Sequence, residues 1–175
     1  MTTKPDIAIS SCILGNAVRY DGESKFLPGI CHELQQHFNL IAVCPEVEIG
    51  LGVPRPPVQL TGDPAHPSMT GRDDPQINVT DKMRDYCTSK PTQLKHICGY
   101  VFKSKSPSCG IHSIPVFDHG KIMADNNRGL FADAMIKLYP ELPITDELAL
   151  SQPEQRQQFI HQVLHYYQDS QKTPK

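Results

Sequence analysis

The chain has 175 residues, enough for one domain with a buried core. Hydrophobic residues make up 38% and charged residues 21%, the balance of an ordinary folded protein rather than a disordered one. The formal net charge of -2 excludes the sequence-wide basic excess of a protein that coats a nucleic-acid polymer, although a local patch could still hold one phosphate.

The first element is Asp6–Ser10, a short apolar run ending in Ser-Ser-Cys that reads as a buried strand. Ile9-Ser10-Ser11-Cys12 loosely resembles the end of a lipoprotein signal. The apolar stretch before it is only Ile7-Ala8-Ile9, too short for one. Met1 is therefore read as a cytoplasmic start, and no membrane-spanning run follows. A loop from Gly15 to Gly29 turns at Tyr20-Asp21-Gly22. Ile30, Leu34 and Phe38 recur at a spacing of four, one face of a helix ending near Asn39. Leu40-Ile41-Ala42-Val43 is a second strand ending in a cysteine, and strand, helix, strand implies a parallel unit.

Cys44 to Pro75 is rich in Pro and Gly and reads as one long loop, a length usually functional or disordered. A helix is expected from near Asp81, with Met83, Tyr86 and Cys87 on one face. Gly99–Phe102 is a third strand, running into Lys103-Ser104-Lys105-Ser106-Pro107-Ser108-Cys109-Gly110. Ile114–Phe117 is a further short strand before a turn at His119-Gly120. Leu130, Phe131, Ala134, Met135 and Leu138 mark the next helix, with Pro140 beyond it. Ser151-x-x-Glu154 has the form of a capping box opening the last helix, whose inward face is Phe159, Ile160, Val163, Leu164 and Tyr167. The polar residues after Gln168 are expected to fray. The reading is an α/β, Rossmann-like layered fold with a mostly parallel sheet flanked by helices. It forms one domain over residues 1–170, with a frayed tail over 171–175.

Six cysteines are present, and none forms a C-x-x-C pair. In a reducing cytoplasm they are not expected to form disulfides. Cys12, Cys44 and Cys109 each follow a predicted strand, directly or after one short loop. In open parallel sheets ligands bind outside the carboxyl ends of the strands, so these three thiols should meet although they lie 44 − 12 = 32 and 109 − 44 = 65 residues apart. Cys31 and Cys87 fall on helices and Cys98 at the other end of its strand, which suits structural roles. Three thiolates suit a soft metal centre with an open position. Zinc and an iron–sulfur cluster are both compatible with that spacing.

Glu46, two residues beyond Cys44 and separated from it by Pro45, is placed for general acid–base work. Ser104, Ser106 and Ser108 approach Cys109, where hydroxyls could relay protons, bind an anion or shape the turn at Pro107. Arg19, Lys103 and Lys105 lie near the same edge and could hold a phosphate, as could the backbone of Gly15 and Gly110. Arg55 stands on the stiff segment Pro54-Arg55-Pro56-Pro57, which favours a positioned role. His161 and His165 are four apart on a polar helix face and read as surface residues.

Three blocks carry a resemblance. Ser11-Cys12-Ile13-Leu14-Gly15 with Arg19-Tyr20-Asp21-Gly22, then Cys44-Pro45-Glu46 with Gly50-Leu51 and Pro54-Arg55, then Lys103 to Gly110, resemble the thiouracil desulfidase (TudS-like) family. The resemblance spans nearly the whole chain. It implies a [4Fe-4S] cluster on three cysteines, matching Cys12, Cys44 and Cys109, with one iron open to the sulfur of a thiolated uracil or its nucleotide. Water oxygen would replace that sulfur, giving uracil or UMP and hydrosulfide without net redox change. It further implies a proton-transfer role for Glu46 and an assisting serine, Ser104 before Ser106. Substrate contacts are expected from Arg19, Lys103, Lys105 and Ser108, with a nucleotide preferred over the free base. After the Pro-Arg block many relatives would carry an acid where this chain has Gln59, which could alter substrate preference. The partner is then a small thiolated pyrimidine, with no nucleic-acid polymer and no membrane; nothing in the sequence sets the oligomeric state. The competing readings are a zinc hydrolase on the same three cysteines and a non-enzymatic metal or redox sensor.

Overall fold

A computed structural model describes residues 3–172. Strand β1 (Asp6–Ser10) is the expected first strand. Ile7, Ala8 and Ile9 are fully buried, as a central parallel strand covered on both faces requires. A 3-10 turn over Ser11–Leu14 follows it. Helix α1 (Pro28–His37) opens with Pro at its first position, where the missing N–H costs nothing. Strand β2 (Asn39–Val43) returns parallel to β1, with Ser10 level with Val43. Both strands therefore end together, and Cys12 and Cys44 leave the same edge.

The segment read as one long loop holds more structure than expected. It contains a short helix, α2 (Pro45–Glu48), and an antiparallel hairpin of β3 (Val58–Thr61) and β4 (Ser68–Gly71). Val58-Gln59-Leu60-Thr61 alternates between buried and half-buried positions, the period-two signal of a strand. At four residues among many Pro and Gly, that signal was too short to stand out. Helix α3 (Thr80–Gln93) buries Met83. Strand β5 (Tyr100–Phe102) pairs parallel to β1.

Strands β6 (Ile114–Asp118) and β7 (Lys121–Asn127) form a second hairpin. Its two turn residues, His119 and Gly120, both have positive φ (46° and 75°), the backbone that matches the twist of a tight hairpin. The polar sequence of β7 has low strand propensity, so the turn and pairing with β6 hold it in place. Helix α4 (Leu130–Leu138) is followed by a short strand, β8 (Ile144–Asp146), and a four-residue helix, α5 (Glu147–Leu150). Neither of the last two was anticipated. Helix α6 (Pro153–Lys172) opens one residue later than a capping box at Ser151 would place it. The Ser151 hydroxyl donates instead to the Leu148 carbonyl at 2.6 Å, and the Gln152 carbonyl accepts the first helical bond, from Arg156. The helix continues past Gln168 to Lys172, and the rest of the expected tail, like Met1, lies outside the described residues.

Two sheets result. The first is all parallel, in the order β2-β1-β5-β8; the second is mixed, in the order β4-β3-β6-β7. Ile7, Ile9 and Val101 face one core with Leu34 of α1 and Phe159, Ile160 and Val163 of α6. Ala8, Tyr100 and Phe102 face the other, with α3, α4 and the second sheet. The parallel sheet is thus flanked by helices on both faces, and its carboxyl edge carries the site. Among the described residues no helix is long and apolar enough to cross a membrane.

Candidate active site

The carboxyl ends of β1, β2 and β5 open on a cavity of about 590 Å³ whose walls include Cys12, Cys44 and Cys109 together. The 3-10 turn after β1 delivers Cys12, which is 7% exposed. Burial pushes its thiol up to about 11, against the pull of Lys103. Cys44 stands at the start of α2; burial raises its thiol, opposed by a hydrogen bond from the Val47 backbone. Its own amide donates to Glu48 Oε2 at 3.2 Å, and Glu48 is held in turn by Tyr86 Oη (2.7 Å) and Lys90 Nζ (2.6 Å).

Cys109 is held more tightly still. Burial drives its thiol well up, opposed by a hydrogen bond with Ser10, whose oxygen also accepts the Lys103 amide at 2.9 Å. The turn before it is closed by Ser106 Oγ, which accepts the amides of Ser108 (3.2 Å) and Cys109 (3.0 Å). The N-terminus of α4 then binds this loop: the amides of Phe131 and Ala132 donate to the Ser108 carbonyl, both at 3.0 Å. Gly129 permits that approach, because a Cβ there would lie 2.6 Å from the Ser108 oxygen and 2.5 Å from its carbonyl carbon. Cys31 and Cys87 lie on helices and Cys98 precedes β5, outside the cavity wall.

Glu46 projects from α2 into the same cavity and is fixed through both oxygens. Oε2 accepts Arg55 Nε and Nη2, both at 2.9 Å, and Oε1 accepts Ser108 Oγ at 3.0 Å. Arg55 is anchored from behind, with Nη1 donating to the carbonyls of Val18 (2.8 Å) and Gly52 (3.0 Å). The stiff Pro-Arg-Pro-Pro segment is thus what orients Glu46. A further carboxylate on the cavity wall, the buried Glu147, was not singled out in the sequence. It accepts Lys103 Nζ (2.5 Å), Ser104 Oγ (2.6 Å) and the Ser104 amide (2.8 Å). Burial opposes its ionisation, but the bonds from Lys103 and Ser104 outweigh burial and hold the carboxyl below its usual range.

The basic residues divide. Lys103 is turned inward, with its ammonium on Glu147 and Ser104. Arg19 pairs with Asp21 at 3.3 Å and Glu23 at 3.9 Å. Lys105 lines the rim in a left-handed conformation (φ 59°), exposed and without an ion pair among the described residues. Gln59 does not line the cavity; its neighbour Val58 does. His161 and His165 are exposed on α6, as expected.

The donor set decides what could be held here. Among the described residues, no three His, Cys, Asp or Glu side chains are gathered to hold a single metal ion. The three thiols line the wall of one roomy cavity, and thiolates are the ligands that hold iron–sulfur clusters. The residues present fit such a group.

A parallel sheet with three thiols and a clamped carboxylate at its carboxyl edge defines an α/β protein with a thiol-lined cavity. The family model of 2-thiouracil desulfurase matches residues 7–147, and the chain belongs to that family, whose members act on carbon–sulfur bonds. Among solved structures it is similar to a [4Fe-4S]-dependent thiouracil desulfidase, TudS. The two are 28% identical, with a TM-score of 0.62 over 87% of this chain and 96% of the other. No curated protein matches.

Proposed function

We propose that this chain holds a [4Fe-4S] cluster on Cys12, Cys44 and Cys109 and removes sulfur from a thiolated uracil by exchange for water oxygen. The observation that carries the reading is the meeting of those three thiols with the doubly tethered Glu46 in one cavity. Bound there, the cluster would supply an open iron, a soft Lewis acid matched to a thiocarbonyl sulfur. The remaining work falls to this chain's own side chains. Glu46, held at both oxygens, takes one proton from the water that attacks the ring carbon and returns it to the departing sulfur, and the proton left on the new hydroxyl goes to solvent, so thione and water become carbonyl, hydrosulfide and a released proton. Arg55 and Ser108 keep the carboxylate aimed, which adds a positioning role to the place of Ser108 on the cavity wall. Ser106 Oγ accepts two amides of the Cys109 turn and keeps its own proton for the cavity, so Ser104 and Ser106 are both assigned to the wall that faces the substrate.

A nucleotide substrate would place its phosphate at the rim. Lys103 has no free donor for it, so the expectation rests on Lys105, with Arg19 and Lys25 on the same wall. The deciding experiment is iron and sulfide analysis of anaerobically purified protein, with thiouracil turnover on the same sample. Zinc without sulfide would favour the zinc reading, and a cluster without turnover would favour a sensor.

A further inference from the structure

The hydrogen bonds around Glu147 have a direction, and that direction reaches the cavity. A serine hydroxyl has one proton to donate and two acceptor positions. Ser104 gives its proton to Glu147 Oε1 at 2.6 Å and accepts weakly from Lys103 Nζ at 3.3 Å. Lys103 has three N–H donors, and they go to Glu147 Oε1, the Ser104 carbonyl and Ser104 Oγ. What Ser104 has left for the cavity is therefore one acceptor position and no donor. Ser108 likewise has no proton left for the cavity, since it donates to Glu46. Glu147 is 8% exposed and Ser104 7%, so water does not readily reorganise this arrangement.

We propose that Glu147 is a positioning residue that fixes Ser104 as a hydrogen-bond acceptor, so that the cavity selects a ring carrying an N–H beside the carbon to be attacked. The inference rests on the desulfidase reading for its choice of ring. In its thione form a thiolated pyrimidine has an N–H next to the carbon bearing sulfur. A ring with a bare nitrogen at that place would set one acceptor against another. Reversing the Ser104 hydroxyl would reverse the preference. Glu147 on its far side, helped by the weaker donation from Lys103, determines which way the proton points.

The test uses cluster-loaded protein and two ligands of nearly equal shape. Uracil has an N–H at N3 where cytosine has only an acceptor, and N1–H is common to both, so the comparison reads the contact at N3. Equilibrium binding of each is measured by calorimetry on wild type, Glu147→Gln and Ser104→Ala, with iron content and thiouracil turnover measured on the same samples. Wild type should favour uracil by at least about fivefold, the worth of one neutral hydrogen bond. In Glu147→Gln the amide can donate to Ser104 Oγ and free its proton, so the ratio should fall to about twofold or less. Ser104→Ala leaves the Glu147–Lys103 pair in place and should lose the preference too, which keeps the test open if the Gln variant folds poorly. A wild-type protein that binds both bases equally, or a Ser104→Ala variant that keeps the ratio, would overturn the proposal. Wild type that prefers uracil yet turns over no thiouracil counts against the desulfidase reading alone. Turnover of thiouracil with equal binding of the two bases counts against Glu147 and Ser104 alone.

Discussion

Replacing Glu46 with Gln keeps the shape of the side chain and removes its charge. The wild-type carboxylate is only 13% exposed and its partner Arg55 only 4%. Breaking a buried ion pair by removing one partner costs roughly 3–5 kcal/mol. Here the loss should sit near the lower end, about 3 kcal/mol. The Gln carbonyl still accepts one bond, and Arg55 Nη1 keeps the carbonyls of Val18 and Gly52. For a chain of this size each kcal/mol lowers Tm by about 2–4 °C, so a drop of about 6–12 °C is expected with the fold intact. Turnover should fall much further, by ~10²–10⁴, the usual contribution of a general acid–base group. Glu46 is not among the proposed ligands, so iron and sulfide per chain should stay at the wild-type level. The assay is thiouracil turnover well below the variant's Tm, beside iron analysis and thermal unfolding. Ser108→Ala serves as the control, since it removes one tether of Glu46 and leaves the charge; it should cost about tenfold in rate at most. Turnover in Glu46→Gln within about threefold of wild type would refute the proton-transfer role, and loss of iron would make Glu46 a ligand or a structural support.

Gly129→Ala should lower the iron content, because its Cβ would strike the Ser108 carbonyl and push the Cys109 loop outward; overpacking of this kind costs about 1–3 kcal/mol, readable by urea unfolding. Glu147 should make wild type more stable than Glu147→Gln at neutral pH but not in acid. A carboxyl held below its unfolded value contributes fully above that value, near pH 4.5, and its contribution is lost as pH falls through the lowered folded value; urea midpoints at pH 7 and pH 3.5 should show the gap closing, and a constant gap would contradict it. Lys105→Ala should raise KM for a thiolated uridine monophosphate several-fold while leaving the free base unchanged; equal KM values would mean the rim lysine is only solvated.

The parallel sheet was legible because its strands are simple. Ile7-Ala8-Ile9 and Leu40–Val43 are continuous apolar runs joined by a helix with a clear four-residue period, and a parallel pair is the ordinary outcome. From that pairing follows the meeting of Cys12 and Cys44, since strands in register end at the same edge. The second sheet was hidden for opposite reasons at its two hairpins. Val58–Thr61 has the right alternation but too few residues, and Lys121–Asn127 has the length but a polar sequence that pairs only because β6 is already beside it. Strand β8 is three residues long and carries no local signal; it forms because β5 presents a free parallel edge.

The site divides along the same line. Thiols and Glu46 could be named because each stands beside a strand end, a local feature. Arg55, nine residues from Glu46 on a stiff segment, could be suspected of a positioned role, but the other pairings could not, because they reach across the chain: Ser108 to Glu46 over 62 residues, Ser10 to the Cys109 turn, and Glu147 to Ser104 over 43. Lys103 shows how this misleads. Read from its neighbours it is a free cation at the mouth of a site; in the fold its ammonium is bound to a buried carboxylate that arrives only when β8 docks beside β5. Hence the late elements β8 and α5, which place no proposed ligand in the cavity, still govern it. Until they pack, Lys103 and Ser104 lack the partner that orients them. A chain cut before Glu147 would keep all three cysteines and Glu46 yet lose the polarity of the substrate wall.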